Sequence, residues 1–102
     1  MQVELHPEAS LELHAAHAWL ENEGQGLGDA LADSVAETIQ RIRRFPYLGP
    51  AVGISGVSAE IRQVLIPRFQ YLVVYRVGPD LLQVVAIAHT RRRPGYWRDR
   101  LH

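Results

Sequence analysis

Between Tyr71 and His89 the chain carries two apolar runs, Tyr71-Leu72-Val73-Val74-Tyr75-Arg76-Val77 and Leu81-Leu82-Gln83-Val84-Val85-Ala86-Ile87-Ala88-His89. Gly78-Pro79-Asp80 parts them. Branched and aromatic residues favour strands, and Gly-Pro-Asp is turn chemistry, so the two runs predict an antiparallel hairpin. A three-residue turn sets Val77 opposite Leu81, Tyr75 opposite Gln83, Val73 opposite Val85 and Tyr71 opposite Ile87. The other face then holds Leu72, Val74 and Arg76 against Ala86, Val84 and Leu82. Both faces are largely apolar. A sheet with one wet face alternates apolar and polar residues, and this one does not, so it needs a layer on each side.

The residues before it supply one such layer. Gln2-Val3-Glu4-Leu5 alternates and predicts a short first strand. Pro7 suits the first turn of a helix, where Glu8 and Glu12 are favourable near the positive end of the dipole. Ala9, Leu13, Ala16 and Leu20 recur at helical spacing, and Gly24-Gln25-Gly26 stops the helix and starts another. Leu27, Leu31, Val35, Ile39 and Ile42 form the second stripe, which ends near Phe45 because Pro46 disfavours helical geometry before it. Pro46 to Ser58 has the Gly and Pro content of a loop, and 59–66 predicts a further strand. The order is β-α-α-β-β-β in a single domain over residues 1–102, an α+β fold with a helical hairpin packed on an antiparallel sheet. One hairpin covers one face. The other falls to the C-terminal tail or to a partner, and the exposed apolar pattern predicts a partner on a sheet face or in a groove beside the hairpin.

Composition narrows the chemistry. A chain of 102 residues buries roughly 65% of the surface its unfolded form exposes, enough for a modest core. With no cysteine there is neither disulfide nor thiol chemistry. The first residues lack the basic and apolar blocks of a signal peptide, and no apolar run approaches the roughly 20 residues of a membrane span, so a cytoplasmic protein is expected. Net charge is zero, yet residues 1–40 hold eight acidic side chains and no base, while residues 41–102 hold eleven arginines against Glu60, Asp80 and Asp99. Two separate surfaces are expected, the basic one made entirely of arginine, which forms bidentate contacts with phosphate and carboxylate.

The C-terminal end gathers the reactive types. His89 sits at a strand end, where an imidazole can move protons near neutrality. Arg62 and Arg91 could hold a phosphate, and Tyr96 could stack or donate a proton. Together these four are a minimal set for metal-independent RNA cleavage. They read equally well as a strand-end hydrogen bonder with a solvated tail. Arg68, Arg92, Arg93, Arg98 and Arg100, with Trp97, form a basic and aromatic end suited to an anionic partner. Trp97 also reads as an anchor pinning the tail to the body. His14-x-x-His17 places two imidazoles on one helix face, but no third ligand follows at a zinc spacing, so no metal or cofactor is expected.

The order of Pro7-Glu8-Ala9, Phe45-Pro46-Tyr47-Leu48-Gly49-Pro50, Ile61-Arg62, Arg68-Phe69-Gln70-Tyr71, Val74-Tyr75-Arg76-Val77 and His89 through Pro94-Gly95-Tyr96-Trp97 resembles the RelE/ParE toxins of bacterial type II toxin–antitoxin modules. The resemblance spans essentially the whole chain. It implies the same β-α-α-β-β-β body and a cognate antitoxin that wraps it into a hetero-oligomer. It also implies one of two targets, DNA gyrase for ParE-like members or mRNA on the ribosome for RelE-like ones. In a RelE-like member, Arg62, His89, Arg91 and Tyr96 would be catalytic. The RelE branch carries lysines near its site and this chain has none, whereas Phe-Pro-Tyr-Leu-Gly-Pro and Arg-Phe-x-Tyr look ParE-like. The resemblance therefore leans toward an inhibitor of gyrase. A non-toxic binding module on the same fold is a third reading.

Overall fold

A computed structural model describes residues 1–101. Strand β1 (Gln2–Leu5) leads into helix α1 (Pro7–Glu23), where Pro7 opens the first turn and the His6 ring accepts a hydrogen bond from the Glu8 N–H at 3.1 Å. Helix α2 (Leu27–Arg44) returns against α1. Two glycines make that hairpin possible. Gly26 has φ +85, a conformation that L side chains rarely adopt, and a Cβ on Gly28 would lie 2.4 Å from the His17 carbonyl oxygen. The Glu21 carboxylate accepts hydrogen bonds from the Gly26 and Asp29 N–H groups, satisfying donors that the start of α2 would otherwise leave free. Arg41, Arg43 and Arg44 crowd the last turn of α2, where the dipole favours cations.

Strands β2 (Ile61–Ile66), β3 (Tyr71–Val77) and β4 (Leu81–His89) follow, with a short 3-10 turn at Pro67–Phe69 between the first two. The sheet order is β1-β4-β3-β2. β2, β3 and β4 are antiparallel neighbours, and β1 adds to β4 in parallel, so the sheet is mixed and α+β in class.

The hairpin register differs from the sequence expectation. Val77 lies opposite Leu82, not Leu81, because the turn uses only Pro79 and Asp80 at its tip, and the Gly78 N–H bonds the Leu81 carbonyl at 3.0 Å. A one-residue slip exchanges the faces of a strand. Leu82 and Val84 therefore join Tyr75 and Val77 under the helices instead of lying on the far face. A register shift at Val74/Tyr75 takes up one extra residue of β4 and restores the expected facing beyond it, with Ile87 opposite Val73. Val85, expected beside Val73, packs on the far side with Ala86 and Ala88.

Two cores share this sheet. The first lies between sheet and helices and buries Leu31, Val35, Ile42, Val73, Tyr75 and Val84. The second lies on the far face, where Trp97, 3% exposed, sits over Val74, Val85 and Ala88. Val52, Ile54, Val57 and Leu101 close around it. The chain's own loop and tail thus cover most of the face for which a partner was expected. The gap they leave lies at Leu65, 45% exposed, and the half-buried Leu72 beside it. Among the described residues no helix is long and apolar enough to cross a membrane.

Candidate functional site

β2 and β4 both run toward the same end of the sheet, so Arg68 in the turn after β2 and His89 at the tip of β4 share that end with the tail. The His89 ring stands edge-on to Tyr71, centroids 5.1 Å apart, and its Nδ1 accepts a hydrogen bond from the Arg91 N–H at 3.1 Å. His89, Arg92, Arg93, Tyr96 and Trp97 line a crevice of about 110 Å³ with Gln63 and Leu72 at its floor. Arg91, Arg92 and Arg93 are exposed, and the Arg92 guanidinium stacks 3.8 Å from the Tyr96 ring centroid.

The four residues of the proposed cleavage set do not converge. Arg62 faces away from the crevice and holds the loop after α2. It donates to Glu60 Oε2 at 2.8 Å and to the Gly49 carbonyl at 2.8 Å, and its guanidinium covers the Tyr47 ring at 4.8 Å. The same loop is held from the core by Tyr75, whose hydroxyl donates to the Pro46 carbonyl and accepts from the Gly49 N–H. The Tyr96 hydroxyl points inward and donates to Glu12 Oε2 at 2.6 Å. Burial first, then that bond to Glu12, pushes the Tyr96 hydroxyl well above the ordinary phenol value, so it stays protonated.

The basic and aromatic end is divided as well. Trp97 is a core residue and offers no surface for a ligand. Arg100 is largely buried, bidentate to Glu12 at 2.8 and 3.0 Å, and also donates to the Val85 carbonyl. Arg98 bends back to the Gly95 carbonyl at 3.3 Å, and Arg68 lies against Phe69. Of the arginines assigned to this end, Arg92 and Arg93 open onto the crevice.

Glu12 is the residue the sequence reading misplaced. It faces the sheet instead of serving the helix dipole. Its position three after buried Ala9 and four before buried Ala16, on the apolar side of α1, is the signal that was available. β1 pairs with β4 only as far as Val84, and beyond that point side chains take over the edge. Glu12 accepts the Ile87 N–H at 3.0 Å while Arg100 supplies the Val85 carbonyl. Burial would raise the Glu12 carboxyl, but bonds from Arg100, Tyr96 and Ile87 outweigh it and hold the group below its ordinary 4.5. Of Glu8, Glu12, Glu21 and Glu23, only Glu12 pairs with a tail arginine among the described residues, so the acidic and basic halves remain largely separate surfaces.

On the helical hairpin His17, Glu21 and Asp29 bring ligand atoms within 4.8 Å of one another. His17 Nε2 already bonds Asp29 Oδ1 at 2.8 Å and Glu21 is committed to the α2 terminus, while His14 stands exposed and apart.

The family model described as the ParE toxin of type II toxin-antitoxin system, parDE, matches residues 3–94. Among solved structures, a chain of the chromosomal ParDE TA system from P. aeruginosa superposes with a TM-score of 0.73 at 17% identity, covering 89% of this chain and 97% of that one. At that identity the likeness speaks for the fold. No curated protein matches by sequence. With the family model spanning both helices and all four strands, the chain belongs to the ParE toxin family of type II toxin–antitoxin systems.

Proposed function

We propose that this protein inhibits DNA gyrase in the cytoplasm by binding, without cutting RNA, and that a cognate antitoxin neutralises it in a hetero-oligomer. One observation carries the choice between the two targets of the wider superfamily: the groups needed for proton transfer and phosphate stabilisation are used elsewhere. A cleavage site needs an acid, a base and a cation within reach of one phosphate. Here Arg62 is committed to the loop at Gly49 and the Tyr96 hydroxyl to Glu12. What stays open is Arg92 and Arg93 beside His89, a cationic surface suited to contact. Membership of the ParE family and the ParDE system of the structural neighbour support both the target and the antitoxin.

The test is expression of the chain alone in bacteria, scored for trapped gyrase–DNA complexes and for cut mRNA. Trapped complexes with intact mRNA are expected. His89→Ala should retain growth arrest, whereas an enzyme using His89 as acid or base would lose roughly 10²–10⁴-fold in rate. Cut mRNA with unimpaired gyrase would overturn the proposal.

A further inference from the structure

The gap in the second core opens into a groove with arginines at both ends. On its outer side the exposed Leu48 and Leu65, 42% and 45% exposed, flank a hollow of about 310 Å³ shared with Arg41, Pro50 and Leu72. Gln63 and Leu72 also floor the arginine crevice, so the two hollows meet along these residues. The register Leu65–Leu72–Ala88 runs straight across three strands, about 10 Å at the usual strand spacing. At the outer end Arg41, Arg43 and Arg44 are exposed, and at the inner end so are Arg92 and Arg93. None of the five has a carboxylate partner among the described residues.

Resting on the antitoxin reading above, we propose that one segment of the neutralising partner lies in this groove. Its middle is apolar, over Leu48, Leu65 and Leu72. Acidic residues flank that middle and meet Arg41 at one end and Arg92 and Arg93 at the other. Charge decides the occupant. A two-fold contact with a second copy would set these arginines against their own kind, whereas an acidic segment is complementary at both ends. Such a segment neutralises by occlusion, because it covers the same arginines that the target would meet.

The experiment uses the full chain with the antitoxin frame adjoining its gene, in growth rescue, titration calorimetry and gyrase competition. Leu65→Arg and Arg41→Glu should each still arrest growth, bind the antitoxin at least tenfold more weakly and escape rescue. Trp19→Ala, outside the groove, should be rescued like the unaltered protein. Thermal melts verify folding, and the exposed Arg41 serves if Leu65→Arg is unstable. The bound antitoxin should compete with gyrase, with binding weakening as salt rises. Normal rescue of both folded variants, loss of toxicity by both, a chain that self-associates through Leu65, or a complex that still traps gyrase would each overturn the proposal. An unaltered chain that is inert on gyrase yet binds antitoxin in a Leu65-dependent way would sink the gyrase reading and leave the groove standing.

Discussion

Arg62 illustrates how a single side chain can be claimed by structure. Its guanidinium spans Glu60 and the Gly49 carbonyl and lies over Tyr47, while Tyr75 holds the same loop from beneath. Removing it leaves a partly buried carbonyl without a donor and the loop held from one side. Arg62→Ala should therefore cost about 1–3 kcal/mol of stability in urea unfolding, the range for hydrogen bonds to charged groups. Toxicity should fall only in proportion to the unfolded fraction. Full stability with abolished activity would instead mean that Arg62 meets the target directly.

At the scale of elements, the tail is fastened to α1 and β4 through Glu12. Three donors converge on this one carboxylate: the Ile87 N–H, the Tyr96 hydroxyl and the Arg100 guanidinium. Trp97 lies in the same tail segment, between the last two of these residues, so releasing the clamp uncovers the second core. The Glu12 carboxyl is held below 4.5 in the folded protein, so its contribution is complete above that pH and is lost as pH falls through the lowered value. Acid titration should loosen the tail, seen as loss of the near-ultraviolet signal of Trp97. Glu12→Gln should remove that acid transition and destabilise the protein by about 2–3 kcal/mol at neutral pH, because Arg100 would remain largely buried without its counter-ion. An unchanged acid limb in the variant would assign the transition to another group.

For the whole molecule, zero net charge conceals two opposed surfaces. The eight acidic residues of positions 1–40 lie on the strand and helices that form one side and edge of the sheet, and the arginines gather at the loop, sheet end and tail. Such a field raises the association rate with an anionic partner and is screened beyond about 8 Å at physiological salt. Arg92→Glu combined with Arg93→Glu should slow association with gyrase–DNA by about tenfold or more in low salt, with the difference shrinking as salt rises. Stopped-flow measurement across an ionic-strength series decides this. A rate that ignores the double reversal would place the target surface elsewhere.

Local chemistry determined the elements. Proline at position 7, glycines at 24 and 26, Pro46 and the Gly-Pro-Asp break act within a few residues, and the helix and strand bounds follow them closely. The two-sided apolar hairpin likewise required a three-layer arrangement, which the structure has. Tertiary structure decided what depends on partners distant in sequence. The sheet order and the parallel pairing of β1 were set by how the helical crossover packs, and the register by a turn one residue shorter than expected and an irregularity opposite Val74. The fate of each polar side chain was decided in the same way. Glu12 met Arg100 across 88 positions and Arg62 met Gly49 across 13, contacts that neither composition nor periodicity encodes. A polar group is spent wherever folding leaves an unsatisfied partner, and that is known only once the chain has closed.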